Sequence, residues 1–134
     1  MTVGYADDLV TEARRPHGEG TLPSARRTAR AANPVCGDEI ELDVDHDDAL
    51  VIDVAHRTRG CVFTRASASL LAQSVPGLSL AQARDLAATV RRDLAGSAPL
   101  PPSLAALASV RVYPARIRCA LLPWDALRSA LDEV

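Results

Sequence analysis

The chain has 134 residues, of which 48% are hydrophobic and 24% charged, with a formal net charge of −2. These are the proportions of one soluble globular domain spanning residues 1–134. No cationic surplus argues for nucleic acid, and no apolar run approaches the roughly 20 residues of a membrane span. The start, Met1 to Asp8, lacks the basic head and apolar core of a signal peptide. The expectation is a cytoplasmic protein whose thiols stay reduced. Every positive side chain is arginine and aromatics make up only 3%, so the core must rest on Ala, Val, Leu and Ile.

In chain order, a short helix is expected from Tyr5 to Arg14. A loop marked by Pro16, Gly18, Gly20 and Pro23 follows. Arg26, Arg27 and Arg30 read as solvated surface. Residues 39–45 alternate, with Ile40, Leu42 and Val44 on one side and acidic residues on the other, and Leu50, Ile52 and Val54 continue the pattern. This predicts a half-buried β-hairpin turning at His46-Asp47-Asp48, extended by Arg57 to Gly60, with His56 turned to solvent. The acidic run there fails the calcium-loop template: its sixth position is Asp48 where glycine is needed, and its twelfth is Val54 where glutamate is needed.

From Phe63 the period becomes helical as far as Pro76-Gly77. Ser79 reads as the N-cap of a second helix whose apolar face is Leu80, Ala83, Leu86, Ala87, Val90 and Leu94, stopping at Gly96. A proline-rich connection and a short apolar stretch, Leu104 to Val110, lead to a last helix over Pro114 to Leu131. Pro123 predicts a break in it near 121–123. Strands first and helices after, without βαβ alternation, define an α+β fold: a small antiparallel sheet of about three strands with helices on one face. Tyr5, Tyr113 and Trp124 read as packing residues.

The chemistry concentrates at three cysteines, Cys36, Cys61 and Cys119. An odd number cannot be paired off into disulfides. With Asp38 they supply three thiolates and one carboxylate, the donor set of a tetrahedral zinc site. Gly37 between Cys36 and Asp38 allows a sharp turn that lets both converge on one ion. Cys61 falls at a strand–helix junction, where a helix N-terminus favours thiolate, and Arg116 and Arg118 flank Cys119 to the same effect. No Cys-x-x-Cys pair is present, and three inert buried thiols are the competing reading.

The local words decide between them. Asn-Pro-Val-Cys-Gly-Asp (33–38), Gly60-Cys61 followed by Ala66-Ser67-Ala68-Ser69, and Arg116-Ile-Arg-Cys119 with Trp124 and Ala126-Leu127 beyond resemble the IscU/SufU/NifU-N family of iron–sulfur cluster assembly proteins. The resemblance runs from about Tyr5 to Leu127. It implies that Cys36, Asp38, Cys61 and Cys119 are the metal and sulfur ligands. The chain looks like the SufU branch: Arg118 stands where the scaffold branch has His. Val112-Tyr113-Pro114-Ala115-Arg116 also replaces that branch's chaperone-recognition word, Leu-Pro-Pro-Val-Lys.

A SufU-like chain would be a zinc-dependent sulfur acceptor, with Cys36 taking persulfide sulfur from a PLP-dependent, SufS-like cysteine desulfurase for downstream SUF-type machinery. The alternative implied by the family is a scaffold for a [2Fe–2S] cluster on the same four ligands. Two departures from the family pattern are Thr11 to Pro16, in place of Asp-His-Tyr-x-x-Pro, and Pro123 before the tryptophan.

Overall fold

The computed structural model describes residues 7–132, as a three-stranded antiparallel sheet with helices packed on it. Strands β1 (Arg27–Asn33), β2 (Asp38–His46) and β3 (Val51–Arg59) lie in chain order across the sheet. Helix α1 (Asp7–Arg14) precedes them; α2 (Val62–Ser74), α3 (Leu80–Leu94) and α4 (Ile117–Asp132) follow. Tyr5 and the expected first turn around it lie outside the described residues.

The β2–β3 hairpin forms where alternation predicts it. Asp47 makes its turn by accepting the backbone N–H groups of Ala49 and Leu50 through Oδ1, both at 2.7 Å, the local side-chain turn that aspartate favours. Ile40, Leu42 and Val44 are buried beneath the helices. On β3 the alternation fails. A register shift at Asp45/His46 pairs His46 with Val51, so Val51 and Val54 are buried while Leu50 and Ile52 are exposed. A bulge of this kind re-aims every side chain on one side of it.

The same register corrects the expectation for His56. It lies opposite Leu42 on the helix-covered face and is fully buried. Its ring is satisfied on both sides, at Thr58 Oγ1 (2.8 Å) and at the carbonyl of His17 (2.9 Å). Burial outweighs these partners and lowers its pKa, keeping the ring neutral.

Strand β1 was not expected. Arg27-Thr28-Ala29-Arg30-Ala31-Ala32 carries little β-propensity. Tertiary pairing with β2 over seven residues, Arg27↔Val44 to Asn33↔Asp38, imposes the strand. Arg30 stays at the surface as expected, paired diagonally with Glu39 at 3.4 Å.

Helices α2 and α3 match their predicted spans. Ser79 and Gln82 form a full capping box at the start of α3. The apolar stretch after Pro101 is a run of 3₁₀ turns, Pro102–Val112, with Leu104, Leu107 and Val110 buried. Their spacing of three matches the three residues per turn of that helix.

Helix α4 does not break at Pro123, which is buried inside it. Proline removes its own N–H from the ladder and crowds the preceding turn. Ser67 of α2 braces the same turn: it donates its hydroxyl to the carbonyl of Ala120 (2.5 Å) and accepts the indole N–H of Trp124 (2.9 Å). These contacts tie α4 to α2 on both sides of Pro123, next to the turn that carries Cys119.

Candidate metal and sulfur site

Cys36 sits on the β1–β2 turn, which is built to hold it out. Asn33 ends β1 buried; its carbonyl accepts the N–H of Gly37 (2.8 Å) and its Oδ1 accepts that of Val35 (3.1 Å). Gly37 has φ +78°, a conformation side-chain-bearing residues avoid. Cys36 is therefore exposed.

Asp38 opens β2 on the helix-covered face and is only 5% exposed. Its Oδ2 accepts the hydroxyl of Thr64 (2.6 Å) and the N–H of Cys61 (3.2 Å). Burial pushes its pKa up, but Thr64, the Cys61 amide and the thiols of Cys61 and Cys119 outweigh it and leave the carboxyl below its usual range. Gly60 makes room for this arrangement: a Cβ there would stand 2.8 Å from the Asp38 carboxyl carbon.

Cys119, fully buried on the first turns of α4, has its Sγ 3.4 Å from that of Cys36. The donor atoms of Cys36, Asp38 and Cys119 all lie within 4.8 Å of one another. A tetrahedral ion with bonds of about 2.3 Å needs sulfur donors roughly 3.8 Å apart, so the spacing fits zinc with little movement. Cys61 stands next to this group rather than in it. As N-cap of α2 it makes no side-chain cap, and its Sγ is 3.6 Å from the Thr64 hydroxyl. Two soft sulfurs and one hard oxygen, with a third sulfur beside them, suit zinc or iron better than calcium or magnesium.

The electrostatics of Cys119 differ from the expectation. Burial, with the Cys36 thiol and the charges of Cys61 and Asp38, pushes its pKa up to about 12. A solvent-exposed arginine cannot reverse that desolvation. Without a cation this thiol is protonated at neutral pH, and a cation would bind by displacing the proton.

Of the two flanking arginines, Arg116 is the one that hydrogen-bonds Cys119 and feels Cys61 and Asp38, which raises its own pKa. Arg118 instead lines a 330 Å³ cavity with Asn33, Pro34 and Asp125. Thr64, Ser67 and Gly60 were not anticipated as parts of the site. The legible signal was a hydroxyl one helical turn beyond Cys61 and another beyond that.

Fold and donor set together describe a small α+β domain with a candidate cysteine–aspartate metal site. Residues 4–133 match the family described as NifU-like N terminal domain, and the chain belongs to it. It is 33% identical over 131 residues to the iron–sulfur cluster assembly scaffold protein IscU of Streptococcus pyogenes serotype M1, covering 95% of this chain and 82% of the relative. It is 29% identical over 132 residues to the zinc-dependent sulfurtransferase SufU of Bacillus subtilis, covering 95% and 88%. The fold matches the crystal structure of a NifU-like protein (N-terminal) from Brucella abortus with a TM-score of 0.88 at 24% identity, covering 96% and 92% of the two chains. Among the described residues no helix is long and apolar enough to cross a membrane.

Proposed function

We propose that this chain serves iron–sulfur cluster assembly in the cytoplasm as a zinc-dependent sulfur acceptor. Cys36 receives sulfur from a PLP-dependent, SufS-like cysteine desulfurase and delivers it to SUF-type assembly machinery. Cys36, Asp38, Cys61 and Cys119 would hold the zinc. The observation that carries this reading is the pairing of an exposed thiol with a buried one 3.4 Å behind it, beside a buried carboxylate. A sulfur acceptor needs one thiol that a partner can reach and others that stay put. The relative named as a zinc-dependent sulfurtransferase supports it.

Zinc, when bound, supplies a redox-inert positive charge that keeps thiols deprotonated at neutral pH. The chain's own residues do the rest. The Asn33 bonds hold the β1–β2 turn, so that Cys36 meets a docked partner without unfolding the strand. The Cys36 thiolate attacks the outer sulfur of the donor persulfide. A sulfur–sulfur bond forms at Cys36 Sγ, the donor's sulfur–sulfur bond breaks, and the donor cysteine leaves as thiolate. Cys36 becomes the persulfide with no net oxidation. Cys119 and Asp38, both buried, remain behind it.

The Cys36→Ala variant is expected to abolish both persulfide loading and stimulation of the desulfurase while the fold survives. Normal stimulation by that variant would refute the assignment.

A second reading, a scaffold carrying a [2Fe–2S] cluster on the same donors, draws on the relative named IscU at 33% identity. Arg118, standing where the scaffold branch has His, weighs against it. A stable [2Fe–2S] spectrum after anaerobic reconstitution would favour it.

A further inference from the structure

A carboxylate can offer a cation one oxygen or both, and the choice changes the coordination number. Asp38 is placed so that the choice is made by its neighbours. The Thr64 hydroxyl at 2.6 Å and the Cys61 N–H at 3.2 Å both fall on Oδ2. Oδ1 carries neither bond. Both donors come from the N-terminal turn of α2, whose unpaired N–H groups and dipole favour negative charge.

Thr64 is fully buried, so water does not compete for its single proton. Its distance to Asp38 lies in the short range of a charge-assisted bond. The same oxygen lies 3.6 Å from Cys61 Sγ, so one hydroxyl touches two of the four candidate ligands. Gly60 leaves the room this pose needs, since a Cβ there would stand 2.9 Å from Oδ2. With Oδ2 held by these two donors, the carboxylate does not turn freely to present both oxygens.

We infer that Thr64 is a positioning residue that ties down Oδ2 of Asp38, so that the carboxylate gives a cation one oxygen and the site closes at four donors. This rests on the metal-binding reading above. It makes Thr64 a determinant of which ion the site prefers: four donors with three sulfurs select zinc-like tetrahedral ions over those that need five or six ligands.

The test uses cobalt(II) as the probe in the full chain. Tetrahedral cobalt lacks an inversion centre and absorbs intensely in the visible, whereas five- and six-coordinate cobalt absorbs weakly. Thiolate-to-cobalt charge transfer in the near ultraviolet reports sulfur ligation separately. Wild type and Thr64→Ser should give the intense visible band. Thr64→Val, which keeps the shape and removes the hydroxyl, should keep the charge transfer, weaken the visible band and lower zinc affinity against a competing chelator by roughly ten- to a hundredfold.

Equal band intensity and equal zinc affinity in Thr64→Val and wild type would overturn the inference. So would a weak visible band in wild type itself, which needs no variant to fold. Absence of any thiolate charge transfer in wild type would instead defeat the metal-binding reading, and this inference with it.

Discussion

Asp38 and Asp43 lie on the same strand, five residues apart and on opposite faces, and both are almost fully buried. Asp43 is closed. Arg57 grips both of its oxygens at 2.9 and 3.0 Å, Thr28 donates to Oδ1 at 2.8 Å, and the N–H of Leu22 donates to Oδ2 at 3.1 Å. Arg57 also reaches the carbonyl of Gly20 at 2.9 Å, so the cluster pins the loop before β1 across the outer face of the sheet. Asp38 has no arginine gripping it; its neighbours are thiols, one hydroxyl and one amide. A buried carboxylate whose lone pairs are filled by a guanidinium is a structural tie. One left among thiols is a place for a cation. Burial alone does not distinguish a site from a brace; the identity of the donors does.

Breaking the closed carboxylate gives the largest expected change in stability. Arg57→Met strands a buried charge and should destabilise the metal-free protein by about 2–3 kcal/mol, reduced from the fully buried case because Arg57 is partly exposed. Urea denaturation measures it; a change below about 0.5 kcal/mol would show that the clamp is ornamental.

Acid separates the two groups further. Arg57, against the effect of burial and with help from Leu22 and Thr28, holds the Asp43 carboxyl down from 3.8 to about 2. A folded-state pKa below the unfolded one means stability that is present above about pH 4 and lost as the pH falls towards 2, amounting to roughly 2 kcal/mol. His56, held neutral by burial, adds a loss in the same direction beginning below about pH 6.5. Asp43→Asn should lessen the loss of stability between pH 4 and 2, leaving the part due to Asp38 and the His56 slope in place. An unchanged acid limb would contradict the pairing.

The sequence made the open carboxylate easier to find than the closed one. Cys36, Asp38, Cys61 and Cys119 are marked by residue type, and glycines mark the turns that carry two of them. Asp43 looked like one more acidic residue on a solvated strand face, because the loop that covers it and the arginine that meets it are brought there only by folding. The hairpin, α2 and α3 were legible because each obeys its own local period. Strand β1 was not, since its alanines and arginines acquire strand geometry only by pairing with β2. The exposure of Leu50 and Ile52 and the burial of Val51 depended on a register shift that alternation does not reveal, whereas His56, two residues beyond Val54, keeps the phase of the buried face. The bracing of α4 around Pro123 comes from Ser67, more than fifty residues away in the chain, which no local pattern reveals. The acidity of Cys119 was misjudged for the same reason: neighbouring arginines are visible in sequence, whereas burial is not.

The central claim is that the open carboxylate and its thiols hold zinc for sulfur transfer. Quantifying zinc, iron and acid-labile sulfide in protein purified anaerobically without chelators tests it most directly. The account predicts about one zinc per chain with neither iron nor sulfide, as four protein donors around one ion require. Iron and sulfide in equal amounts, or no metal at all, would contradict it.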